Sequence, residues 1–193
     1  MKLRNLEKYR LVLASASPRR QQLLRELGLE FEIRPSFLDE FYPEELGMTA
    51  IPVYLAELKA DALKKDMKDD ELLITADTIV WKDGQVLNKP ASREEAIAML
   101  RNLSGAQHQV ITGMHLLSAT KKVSFHAVTE VCFDELTEDE IIYYVDHYSP
   151  YDKAGAYGIQ EWIGYVAISR IEGSFFNVMG LPVHKLYQHL KEF

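Results

Sequence analysis

The residues with the most evident capacity for chemistry lie in three places. Asp77, within Ala76-Asp77-Thr78, sits in the apolar run spanning residues 72–81. A carboxylate in a strand-like run is costly to bury unless something pairs with it. A chain of net charge −7 has carboxylates to spare for its surface. Asp77 is therefore a candidate for catalytic or metal-binding work, the other reading being an Asp at a sheet edge or bend. The second place is Ser15-Ala16-Ser17-Pro18-Arg19-Arg20, where two arginines fall in the first turn of an expected helix. The macrodipole is positive there and opposes them, so an anion held between backbone N–H groups and the two guanidinium forks would relieve the conflict; two solvated arginines are the bland alternative. The third is Asp152-Lys153-Ala154-Gly155-Ala156-Tyr157-Gly158-Ile159-Gln160. Its glycines let backbone approach a ligand closely, and the Gln160 amide both donates and accepts, as reading a base edge requires.

These residues need elements to position them. Residues 11–15 read as a short buried strand, with Ser17 as N-cap and Pro18 as the first residue of a helix that Gly28 ends. Residues 31–33 suggest a second strand, and residues 34–47 form a loop carrying Asp39, Glu40, Glu44 and Glu45. A helix is predicted over 52–65. Lys59 lies four residues from Leu55 on its apolar side, either snorkelling outward or serving an anion. Asp83-Gly84 is a strong two-residue hairpin signal. The implied register pairs Lys82 with Gln85, Trp81 with Val86 and Thr78 with Lys89, which sets Lys89 beside Asp77-Thr78. Capping boxes open helices at Ser92–Glu95 and at Thr137–Glu140, the latter with Leu136 and Ile141 placed as a hydrophobic staple. Two longer strands are expected over 110–117 and 123–133, a glycine-bearing loop over 149–164, a strand over 165–171 and a last helix from Pro182. Asn177, amid apolar residues, reads as a structural amide.

Composition narrows the function. At 193 residues the chain makes one domain, or two lobes sharing a sheet. Its negative balance argues against nucleic acid as the main partner without excluding a small phosphate ligand. The lone Cys132 excludes an internal disulfide and suits a reducing cytoplasm. Residues 1–10 are too charged for a signal peptide, and no run approaches a membrane span. His108, His115, His126, His147, His184 and His189 show no zinc-ligand spacing. There is no Gly-x-x-x-x-Gly-Lys-Ser/Thr loop and no Gly-x-Ser-x-Gly elbow. Acidic side chains are thus the plausible metal ligands, for a hard cation such as Mg²⁺ or Mn²⁺.

Taken together, the segments around Ser15 to Arg20, Ala76-Asp77-Thr78, Asn88-Lys89-Pro90, Lys153 to Gln160 and Gly173 to Pro182 resemble the Maf family of nucleoside triphosphate pyrophosphatases, in order and over nearly the whole chain. The resemblance implies a single domain over 1–193. Its fold would be mixed α/β, with an elongated central mixed sheet flanked by helices, two lobes and a cleft, related to the fold of inosine triphosphate pyrophosphatases. It implies hydrolysis of a nucleoside triphosphate to the monophosphate and pyrophosphate, with Asp77 as base. Arg19, Thr78 and Gln160 match the specificity positions of the branch cleaving dTTP and UTP. Glu40, Lys59 and Lys89 match its acidic and lysine positions. Ser15, Arg19, Arg20, Lys59, Thr78, Lys89 and Gln160 are then the expected substrate contacts, and Glu40 with Asp77 the expected metal ligands. A cytoplasmic homodimer is also implied. The rival reading is a nucleotide-binding regulatory module, linked to cell division, that senses nucleotide without turnover.

Overall fold

A computed structural model describes residues 3–36, 38 and 41–193. The expected Glu40, and Asp39 beside it, lie outside the described residues. A seven-stranded mixed sheet runs in the order β2-β1-β3-β5-β6-β7, with β4 paired on β3. Strands β1 (Arg10–Leu13), β2 (Phe31–Ile33) and β3 (Glu71–Lys82) pair in parallel, β1 in the middle. Strand β4 (Gln85–Leu87) turns back antiparallel on β3, and β7 (Ile168–Glu172) pairs antiparallel with β6 (Lys122–Phe133). Strand β5 spans Gln107–Leu117. A mixed α/β fold with a central mixed sheet flanked by helices is therefore what the chain adopts.

The chain divides into two compact units: residues 1–77, 112–127 and 180–193, and residues 78–111 and 128–179. In the first, Val12, Ala60, Leu73 and Leu117 form one buried cluster. In the second, a larger core gathers residues such as Val80, Leu100, Val131, Tyr144 and Ile163.

Local signals account for most helix starts. Helix α1 (Pro18–Glu26) is capped by Ser17, whose hydroxyl accepts from the Arg20 N–H, and Gly28 follows its end at a positive φ of 73°. Helix α2 covers Ala50–Leu63, two residues earlier at each end than expected. Helix α3 (Arg93–Leu103) is capped by Ser92, but the return half of its box is displaced: Glu95 Oε2 accepts from the Ala91 N–H instead. Helix α4 (Glu138–Tyr148) has the complete Thr137–Glu140 box, with Leu136 and Ile141 in the same core.

The expected loop over 149–164 is more structured than its sequence suggests. It holds 3₁₀ turns at Pro150–Asp152 and Ala154–Ala156 and runs into helix α5 (Trp162–Val166), so β7 starts at Ile168 rather than near 165. Gly164 makes this possible: a Cβ there would lie 1.8 Å from the Ile159 carbonyl oxygen. The four-residue helix α6 (Phe175–Val178) is too short to leave a periodic trace. Helix α7 (Val183–Lys191) follows Pro182 as expected. Among the described residues no helix is long and apolar enough to cross a membrane.

Candidate active site

Residues two apart on a strand share a face, so Thr75 and Asp77 on β3 present the same side. Helix α2 packs there. The Thr75 hydroxyl donates to the Ala56 carbonyl at 2.7 Å, and Asp77 Oδ1 accepts from Lys59 Nζ at 2.5 Å. Asp77 is only 5% exposed and Lys59 9%. Lys59 does not snorkel outward: its ammonium turns inward and meets Asp77. The buried stripe of α2 is Ile51, Pro52, Leu55, Ala56, Lys59 and Ala60, and the lysine stands in it because a carboxylate meets it. Neither charge could be held there alone, since desolvating an isolated ion costs several kcal/mol.

Gly113 on β5 sets how close α2 can come. A Cβ at that position would lie 2.2 Å from the carbonyl carbon of Pro52 and from the backbone nitrogen of Val53. Thr75 and Gly113 thus help place the Lys59–Asp77 pair, and sequence reasoning missed both. The available signal was a glycine inside a strand, which often marks close backbone approach.

Arg20 is tied to the same region. Its Nε donates to the Gly180 carbonyl at 2.8 Å and its Nη1 to the Ala76 carbonyl at 2.9 Å. One arginine therefore fastens the first turn of α1 to the residue preceding Asp77. Ser15 is buried, and its Oγ accepts from the Ser17 N–H at 3.2 Å, shaping the turn into α1. Arg19 is half-buried in that first turn.

In the second unit, the hairpin forms in the expected register: Lys82 pairs with Gln85, Trp81 with Val86 and Val80 with Leu87. Asp83 and Gly84 both have positive φ, 50° and 83°, as a type I′ turn requires. The ladder does not reach Lys89. Strand β4 ends at Leu87, and the Asn88 carbonyl accepts instead from the Gly155 N–H at 3.2 Å. Beyond Leu87 the chain attaches to the glycine loop, so the β3–β4 ladder does not run on as the hairpin alone would have it. Thr78 is half-buried and Lys89 exposed. In that loop the Tyr157 hydroxyl shares a hydrogen bond of 2.7 Å with His108 Nε2. Burial, and secondarily the charge of Lys82, pushes His108 down to about 4, so it is neutral near pH 7. Gln160 is half-buried, and its Oε1 is a buried acceptor with no hydrogen-bond partner among the described residues. Asn177 is the structural amide expected: its Nδ2 donates to the Val110 carbonyl and to Thr129 Oγ1.

As to a metal, no group of three or more His, Cys, Asp or Glu side chains suited to one occurs among the described residues. Mg²⁺ is commonly held by one or two carboxylates together with substrate phosphates rather than by an all-protein cage. Asp77, a hard oxygen donor, fits a cation of that kind.

Residues 10–193 match the family described as Maf-like protein. The chain belongs to this family. A dTTP/UTP pyrophosphatase from Parabacteroides distasonis is 58% identical over 99% of this chain and 100% of its own length. One from Bacteroides thetaiotaomicron is 54% identical over 98% of this chain and 99% of its own. A solved nucleoside-triphosphatase / dITP/XTP pyrophosphatase from Mycobacterium abscessus aligns over 66% of this chain and 75% of its own, with 12% identity and a TM-score of 0.36; a likeness of that size carries no weight. The Maf segments named from sequence supply Ser15, Arg19, Arg20 and Asp77 to the first unit, and Thr78, Lys89 and Gln160 to the second.

Proposed function

We propose that this Maf-like protein hydrolyses dTTP and UTP to the monophosphate and pyrophosphate, with Asp77 as the base. Full-length relatives bearing that activity in their names support the reaction, and a regulatory module without turnover is not favoured. The observation that carries the assignment of Asp77 is its buried pairing with Lys59. A buried carboxylate with a lysine beside it is suited to orient a water and take its proton at the moment of attack. Lys59, with Ser15, Arg19, Arg20 and Lys89, binds the triphosphate and balances its charge. Asp77 and Glu40 would hold a divalent cation, Mg²⁺ or Mn²⁺. When bound, that cation supplies Lewis-acid neutralisation of charge developing at the bridge between the α- and β-phosphates.

Base choice falls to Arg19, Thr78 and Gln160. The buried, unpartnered Oε1 of Gln160 supports this. Uracil and thymine offer it an imide N–H, whereas cytosine offers a ring-nitrogen acceptor at the same position. An acceptor left unpaired in a buried site costs about 1–3 kcal/mol, so the wrong base is refused. We place the enzyme in the cytoplasm, where its substrates are, and expect a homodimer.

The test is pyrophosphate release, measured as kcat/KM on dTTP, UTP, CTP, GTP and ATP with Mg²⁺ or Mn²⁺ and after exhaustive chelation. We expect dTTP and UTP to lead and chelation to abolish turnover. Gln160→Ala should flatten the UTP to CTP ratio more than it slows CTP. Equal wild-type rates on all five nucleotides would overturn the specificity, and full activity after chelation would overturn the metal.

A further inference from the structure

Gln160 does not hold its own place. It is the third residue of a turn that the Glu161 N–H closes onto the Gly158 carbonyl at 2.9 Å. The residues at both ends of that turn are gripped by one side chain from α4. The Tyr144 hydroxyl accepts from the Gly158 N–H at 3.0 Å and donates to Glu161 Oε2. The other oxygen of Glu161 meets Lys153 Nζ at 3.1 Å, and Lys153, 8% exposed, also donates to Asp152 at 2.8 Å. Tyr144 itself is fully buried, its ring stacked on Tyr148 with centroids 5.1 Å apart. Burial first, and the hydrogen bond to Glu161 second, push its phenol above the ordinary range, so it stays a neutral donor.

The glycines complete the arrangement. A Cβ on Gly158 would lie 2.9 Å from Gln160 Nε2 and from the Glu161 carboxyl carbon. Both side chains therefore lie over a residue that has none. On the far side, Gly164 admits the Ile159 carbonyl against its backbone. Just upstream, Gly155 and Ala156 both take left-handed φ values of 68° and 59°. Ala156 pays for that conformation as a non-glycine residue, and such strain persists only where the surroundings over-determine the backbone.

We infer that Tyr144 and Glu161, with Lys153 behind them, are positioning residues for base selection: they fix the turn that presents the Gln160 amide. The inference rests on the reading of Gln160 as the residue that reads the base. None of the three need touch the nucleotide. Their effect is on where Gln160 Oε1 sits, and a misplacement on the order of 1 Å in a positioned group can cost roughly 10²-fold.

Tyr144→Phe removes one oxygen, keeps the buried ring, and leaves both the Gly158 N–H and the Glu161 carboxylate without their shared partner. In the whole protein, the ratio of kcat/KM for UTP over CTP should fall at least about tenfold, with CTP turnover changed far less. A purely structural contribution would lower both substrates together and leave the ratio alone. Glu161→Gln, which keeps an acceptor for the tyrosine but loses the ion pair to Lys153, should fall between wild type and Tyr144→Phe, and it carries the test should Tyr144→Phe not fold. A wild-type enzyme that does not separate UTP from CTP refutes the base-reading role of Gln160 and this inference with it. A wild type that does, with folded variants that keep its ratio, refutes the positioning role alone.

Discussion

The two buried carboxylates of β3 lie six residues apart and are handled in opposite ways. Glu71, at the start of the strand, has no exposed surface and is caught by arginines. Arg34 holds both of its oxygens, at 2.8 and 2.9 Å, Arg10 adds a contact at 3.0 Å, and the Lys68 N–H a further one at 3.1 Å. Hydrogen bonding to Arg34 is the largest influence on Glu71 and, against the opposing pull of burial, brings it down to about 2. Asp77 meets a buried lysine instead. Guanidinium groups stay protonated and grip in a fixed fork, whereas an ammonium on a flexible stem is a point charge that can be reassigned to an arriving phosphate. The first arrangement fastens β3 to its neighbours; the second leaves a carboxylate and a cation able to take new partners.

The sharpest way to break this contrast is to neutralise each acid in turn. Asp77→Asn should lower pyrophosphate release by about 10²–10⁴-fold, the range for a lost general base. Near-normal turnover in that variant would end the assignment of Asp77. Glu71→Gln should do the reverse. Its amide turns a donor toward the Arg34 fork, and urea unfolding should show a loss of about 1–3 kcal/mol, while the folded enzyme keeps its kcat. The same residue sets an acid limit. Because folding lowers the affinity of Glu71 for a proton, its contribution is complete above the ordinary carboxylate value of 4.5 and is lost as pH falls from there toward about 2. Urea midpoints at pH 7 and pH 3 should converge between wild type and Glu71→Gln at the lower pH; parallel curves would show that Glu71 is not the group involved.

Arg20 gives the smallest and most discriminating effect. It is one of the proposed phosphate contacts, yet it makes the arginine kind of contact, to the Ala76 and Gly180 carbonyls. Arg20→Lys keeps the charge and loses at least one of those bonds, so stability should drop by about 1 kcal/mol and turnover by less than the loss in Asp77→Asn. A fall in kcat as deep as that of Asp77→Asn, without a change in unfolding midpoint, would show that Arg20 acts chiefly on the phosphates rather than as a fastening.

Much of this was legible in the chain. Asp77 announced itself by polarity in the wrong place, Ser17-Pro18 and Thr137–Glu140 by capping, and Asp83-Gly84 by the left-handed conformations such turns need. These are local signals, complete within a few residues. The break in the hairpin after Leu87 was not legible, because it depends on Gly155, distant in sequence, supplying a donor to Asn88. Nor were α5 and α6, which are too short to show a period.

The residue types available for phosphate and base, and the elements that carry most of them, follow from the chain alone, because propensity, capping and periodicity act over short range. Their partners, by contrast, are set by packing. That Lys59 turns inward to Asp77, that Gly113 lets α2 close on β3, that Glu71 belongs to two arginines, and that Tyr144 holds the turn of Gln160 all depend on contacts between elements remote in sequence. The reason is desolvation: a buried charge or amide takes whichever partner packing brings to it, and packing is a property of the assembled sheet and helices.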